Sequence, residues 1–446
     1  MRTGLRLDQA PPLHLPLRFF LTGPLFGVAA GALLVFQGAG PLLSPWSFPA
    51  LALVHLITLG FLTMVMAGAL YQITPVLVGV PVPGAGLARL VHLGLTGGLA
   101  ALAGGLLTGE ALLHWLALAG LLPAFLIFLG QMALAFRRAP SFNPTVVSMA
   151  IALAALATAV LLGLLFVGET GGLWHLPARR ALAATHVYLA LGGWVGTLIT
   201  GVGYAVIPMF YLAGTFPARM TRLVIVFQVL LLLGGPLVAF LADGVRWLLL
   251  PIALAALATG LFTRVFVTAL AGRKRRISDT TLRYWKTGIL AVPLSLAALV
   301  LFVLSLDPRW LMAFGVLFLL GFALSIMTGM LYKIVAFLVW LHRFSHQAGK
   351  LEVPLLRDII PNPPPAWQWW SHLLMLGLLL LAVLTGHDGA ARASGLALMV
   401  SSGALFGILL RAARFDPPLA PARSAADPHP HPKAASREAA TRPSTP

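Results

Sequence analysis

Residues 55–71 read HLITLGFLTMVMAGALY. A histidine opens the stretch, a tyrosine closes it, and no acidic or basic side chain lies between them. Gly60 and Gly68 stand eight apart, with Tyr71 three further on. The same spacing returns at Gly193, Gly201 and Tyr204, and again at Gly321, Gly329 and Tyr332. Positions i, i+8 and i+11 fall on roughly one side of a helix. Glycines there let a neighbouring backbone come close, and the tyrosine brings a hydroxyl that needs a partner. Each copy sits inside an apolar run long enough to cross a bilayer, so the stretch reads as a membrane-spanning helix.

The rest of the chain has the same character. Of its 446 residues 59% are hydrophobic and 9% charged, with a mean hydropathy of +0.94. A soluble domain carries about 25% charged residues, so a water-soluble fold is excluded. No alternating apolar pattern of the β-barrel kind is present. Cysteine is absent, which removes disulfides, thiolate-bound iron–sulfur clusters, covalent c-type haem and thiolate copper sites. Histidine is left as the strong metal ligand. The net charge of +18 does not point to nucleic acid, because the basic residues sit in short loops and tails between apolar runs.

Twelve spans are expected, at 17–38, 50–76, 87–109, 111–136, 144–167, 180–212, 221–242, 245–270, 286–306, 309–341, 367–386 and 389–413. The fold class is an all-α polytopic membrane protein. The glycine–tyrosine motif falls in the second, sixth and tenth spans, so the twelve read as three pseudo-repeats of four, 17–136, 144–270 and 286–413. Residues 1–16 form an N-terminal segment that runs straight into the first apolar helix and is expected to be retained. Residues 414–446 are rich in Pro, Ala and charge and are expected to be a disordered tail; His429 and His431 alternate with proline there. Arg179, Arg180, Arg246, Arg309 and Arg392 lie on one side of the membrane and Lys333 within a span, leaving 24 of the 30 Lys and Arg for the other side. The positive-inside rule then puts both termini in the cytoplasm of a bacterial inner membrane.

No carboxylate falls in the middle of a span, which counts against a proton- or cation-coupled transporter. The ionisable groups inside the membrane are His55, His92, His114, His186, His372, Lys333 and the tyrosines, with Tyr71, Tyr204 and Tyr332 in the motif. His55 and His186 stand out as candidate metal ligands near the outer starts of the second and sixth spans. His342 and His346, four apart beyond the tenth span, read better as a headgroup-facing helix end. Lys333 reads as snorkelling to the inner interface, with a polar channel or an anion site as alternatives.

Twelve helices in three blocks of four, with both termini inside, resemble subunit I of the haem–copper oxidases. His55, in His55-Leu56-Ile57-Thr58-Leu59-Gly60-Phe61, sits where that family places a low-spin haem ligand, and His186 where it places a copper ligand. The likeness stops short of the oxygen-reducing centre. Where the family has a histidine pair on helix seven, this chain has Leu237-Val238-Ala239-Phe240. Where it has His-x-His on helix ten, this chain has Val316-Leu317-Phe318. Tyr188 stands two residues after His186 rather than four. The pattern of His55 with Gly60-Phe61, Gly68 and Pro75, and of His186 with Gly192 and Gly193, is also similar to the NnrS family of haem- and copper-associated membrane proteins linked to nitric-oxide stress. These resemblances imply haem b or copper at His55 and His186, in an electron-transfer, nitric-oxide-response or accessory respiratory role beside a respiratory-chain or cytochrome partner. They leave open a chain without cofactor, as a transporter or a structural subunit, and whether it is an enzyme.

Overall fold

The computed structural model describes residues 11–274 and 279–419. The greater part of the expected tail, with His429 and His431, therefore lies outside the described residues. So do residues 1–10, Arg275 and Arg276.

Among the described residues there is no β-strand. Twelve helices are long and apolar enough to cross a membrane: α1 (His14–Gln37), α2 (Phe48–Val78), α3 (Ala85–Thr108), α4 (Ala111–Arg137), α5 (Pro144–Thr170), α6 (Arg179–Tyr211), α7 (Ala218–Leu241), α8 (Val245–Ala271), α9 (Thr280–Ser305), α10 (Pro308–Arg343), α11 (Pro363–Thr385) and α12 (Asp388–Ala413). The chain is a multi-pass α-helical membrane protein. Helices α1, α7, α9 and α11 begin three to six residues before the expected positions. Polar groups start helices outside the apolar run: Asp279 accepts from the Leu282 amide at 3.0 Å ahead of α9. Proline is tolerated in a first turn, which lets α1 begin before Pro16 and α11 at Pro363.

The bundle is organised around α2, α6 and α10. In these three, 67%, 67% and 61% of the apolar stretch is buried, against 22–50% in the other nine. Helices α1 and α12 close the circuit. A Cβ on Gly31 would lie 2.5 Å from the Gly395 carbonyl oxygen, and one on Gly395 would lie 2.6 Å from that of Gly31. Only glycine permits that approach. The Arg392 guanidinium adds a bond to the Val35 carbonyl at 2.6 Å.

Each central helix carries a π-helical stretch around the first motif glycine: Leu56–Thr63, Tyr188–Thr197 and Leu317–Leu324. Each motif glycine then packs on the helix just before its own. A Cβ on Gly60 would meet Phe26 Cβ at 2.6 Å and one on Gly68 would meet Phe19 Cβ at 2.6 Å. Gly193 and Gly201 meet Ala155 and Ser148 in the same way, at 2.4 and 2.3 Å, and Gly321 and Gly329 meet Ala291 and Tyr284, at 2.9 and 2.7 Å. The glycines are eight apart, but their partners are seven apart each time. Seven residues make almost two α-helical turns, whereas eight would overshoot by about 80°. A π turn takes one residue more than an α turn, and this extra residue lets both glycines face the same neighbour.

Candidate functional site

His55 and His186 come together. The histidine ending the first α-helical part of α2 lies across from His186 of α6, ring centroids 6.3 Å apart and ring planes 27° from parallel. Both rings are half-buried. His55 Nδ1 lies 2.7 Å from the Leu51 carbonyl oxygen, and His186 Nδ1 lies 2.8 Å from the Ala159 carbonyl oxygen of α5. A carbonyl oxygen can only accept, so each neutral ring carries its proton on Nδ1 and a lone pair on Nε2. Neither Nε2 has a hydrogen-bond partner among the described residues. A donor on one ring nitrogen and a free lone pair on the other is the arrangement of a metal-ligating histidine.

The surroundings hold this pair in place. Eight residues beyond each histidine, the two helices meet again, where the Trp194 indole donates to the Thr63 hydroxyl at 2.9 Å, both side chains buried. The two contacts share one register between parallel helices, so the histidines are fixed by two turns of packing below them. Phe166 of α5 turns its edge to the His186 ring, centroids 6.3 Å apart. Above it, Arg179 lies over the Phe166 ring at 6.0 Å and donates to Glu169 at 2.8 Å. Glu169 also accepts from the Leu176 amide at 3.0 Å, tying the α5–α6 loop to the start of α6. Gly163 leaves room for the His186 ring, since a Cβ there would stand 3.3 Å from His186 Cε1.

The remaining candidates separate. Tyr71 donates to Gln131 of α4 at 2.5 Å, and Gln131 donates to the Pro83 and Gly84 carbonyls at 3.0 and 2.6 Å. Tyr332 donates to Gln368 of α11 at 3.0 Å, Tyr284 of α9 donates to the same oxygen, and Gln368 in turn donates to Ser401 Oγ at 2.8 Å. Tyr204 is buried between Phe216 and Phe262, with no partner for its hydroxyl among the described residues. Lys333 does not extend free to the interface. It pairs with Asp279, the residue that caps α9, and lies 5.7 Å from the centroid of the Tyr211 ring. An alkylammonium half-buried in an apolar helix is stabilised by the nearest carboxylate, and the loop before α9 supplies it.

Of the other histidines, His92 bonds Thr22 and His372 bonds Ser325, each at 2.8 Å. His342 has both ring nitrogens against carbonyls, of Leu338 at 2.9 Å and Pro11 at 3.0 Å, rather than against His346. Sequence reasoning passed over Gln131, Gln228 and Gln368. Glutamines inside apolar helices were the available signal, since amides buried there join helices; Gln228 bonds Thr200 at 2.7 Å.

No family model matches the chain, and no curated protein matches it.

Proposed function

We propose that the protein is a haem–copper-oxidase-like membrane protein that holds one redox metal centre, haem b, between His55 and His186. The observation that supports this reading is the convergence of two imidazoles whose Nε2 lone pairs are left uncommitted. The ring centroids lie 6.3 Å apart, close enough for both imidazoles to serve one group. The donor set suits a centre with two imidazole ligands. Among the described residues no three His, Cys, Asp or Glu side chains are grouped to hold a metal, which favours the haem over a three-histidine copper site.

When bound, a haem iron with two imidazole ligands transfers single electrons. The chain's own residues set the terms of that chemistry. Leu51 and Ala159 carbonyls hold both rings in the ligating tautomer. The Trp194–Thr63 bond and the Glu169–Arg179 tie keep the rings close together, so little has to move when the charge changes. The carboxylate near the pair, Glu169 at the end of α5, is already engaged by Arg179 and the Leu176 amide, so a positively charged centre among these apolar helices is poorly solvated and easily reduced. We place the role in electron transfer or an accessory respiratory function, including a response to nitric oxide.

The test is direct. Full-length protein made with adequate haem is purified, and its reduced spectrum and its iron and copper contents are measured. We expect a b-type spectrum, its loss in His55→Ala, and its loss or change in His186→Ala. A colourless parent protein with neither metal overturns the reading, and so does a spectrum that both variants leave unchanged.

A further inference from the structure

Further along the three central helices, towards the face where α1 begins and α12 ends, α2, α6 and α10 part around a cavity of about 110 Å³. Its wall includes Val65, Ile199, Val202, Met327, Met330 and Trp285. The polar side chain in this lining, other than the Trp285 indole, is Gln72, which is 4% exposed. The Trp285 N–H is already engaged with Met330 Sδ at 3.3 Å. Gln72 is not engaged: Oε1 is sealed from solvent without a donor, and its amide makes no hydrogen bond among the described residues.

A buried amide with no partner costs about 1–3 kcal/mol, and the other three interhelical glutamines, Gln131, Gln228 and Gln368, each bond a neighbouring helix or loop. Gln72 differs: it borders the cavity and bonds no neighbour among the described residues. A purely apolar cavity of about 150 Å³ takes benzene; this one is somewhat smaller but only partly enclosed, and a buried amide borders it. A hydroxyl both gives and takes a proton, so it can pair with whichever end of the Gln72 amide is turned to the cavity. We infer that this cavity binds a small aromatic alcohol, a single phenol-type ring whose hydroxyl gives the Gln72 amide a hydrogen-bond partner while the ring packs among Val202, Met327 and Met330. The residues involved lie ten or more positions beyond His55 on α2, about 15 Å or more along the helix, so the site stands apart from the histidine pair and does not depend on a metal there.

The test uses full-length protein in detergent with 4-fluorophenol and fluorobenzene as probes, followed by fluorine NMR. The expected result is a saturable protein-bound signal for 4-fluorophenol, with fluorobenzene at least about tenfold weaker. Gln72→Leu, similar in volume, should weaken 4-fluorophenol by about the same factor and leave fluorobenzene unchanged. Ala69→Phe, which fills the cavity from α2, should remove both signals; Val202→Phe does the same from α6 if the first variant does not fold. No saturable signal with the parent protein overturns the inference. So does a Gln72→Leu variant that binds 4-fluorophenol as the parent does, because the ring alone would then account for binding.

Discussion

Tyr204 and Tyr332 hold the same position in a motif that occurs three times, and they meet opposite surroundings. Tyr332 reaches Gln368, which also takes Tyr284 and passes its own protons to Ser401. Tyr204 lies among phenylalanines, its hydroxyl unpartnered. The glycines show no such divergence: Gly201 and Gly329 both press against the preceding helix, with 2.3 and 2.7 Å left for a Cβ. The difference separates two kinds of information in one motif. Glycine acts through its own backbone and does the same thing wherever the motif stands. The tyrosine depends on what another helix offers, and α4 and α11 offer a glutamine where the middle block presents phenylalanine. The middle block is also the least covered, with 22% and 28% of α7 and α8 buried.

The strongest test of the comparison is at the glycines. Gly201→Leu and Gly329→Leu should both collapse the yield of folded protein, because each side chain would have to enter space held by the neighbouring helix. Overpacking costs about 1–3 kcal/mol even where some relief exists, and a Cβ at 2.3 Å from Ser148 allows little. Size-exclusion profiles of the purified variants measure this. Normal yield for both would mean that the shared glycine contact contributes nothing.

A smaller effect should come from Gln368→Leu. It removes the acceptor of two buried tyrosine hydroxyls, at about 1–3 kcal/mol for each one left without a partner. The half-life of the folded protein at a fixed elevated temperature should fall well below that of the parent. Gln228→Leu, which frees only Thr200 Oγ1, should shorten it less. An equal loss from the two variants would show that the Tyr284–Tyr332–Gln368 cluster has no special weight.

The smallest effect sharpens the comparison most. Tyr332→Phe deletes one hydrogen bond and should cost about 0.5–1.5 kcal/mol. Tyr204→Phe removes a hydroxyl that has no partner and should be neutral or stabilising, by up to about 1 kcal/mol. Thermal inactivation of the two variants side by side reads the difference in sign. A loss in Tyr204→Phe as large as in Tyr332→Phe would mean that the middle tyrosine is hydrogen-bonded after all.

Much of this architecture was legible from residue types. Apolar runs of the right length located all twelve helices, since the bilayer thickness dictates how many apolar residues a span needs. Their ends were less legible. Caps such as Asp279 and prolines in first turns carry helices past the apolar boundary, as the early starts of α9 and α11 show. His55 and His186 were legible as unusual groups inside apolar helices, but their meeting was not. The motif aligns Gly60 with Gly193, a separation of 133 residues, whereas the contacts that join α2 to α6 run at 131, as in Thr63 with Trp194. Repeat register and contact register differ by two residues, and only side-chain packing between parallel helices sets the second.

The sequence by itself determined that this chain is a twelve-helix membrane protein and where its backbones can approach closely. Length, apolarity and glycine act locally and need no partner to be read. The tertiary structure alone decided which side chains meet: His55 with His186, Lys333 with Asp279, and Tyr332 but not Tyr204 with a glutamine. It also decided the π turns, which allow glycines eight apart to grip partners seven apart. Those outcomes depend on helix rotation and register, which are fixed collectively by packing across the bundle and leave no mark at any one position of the chain.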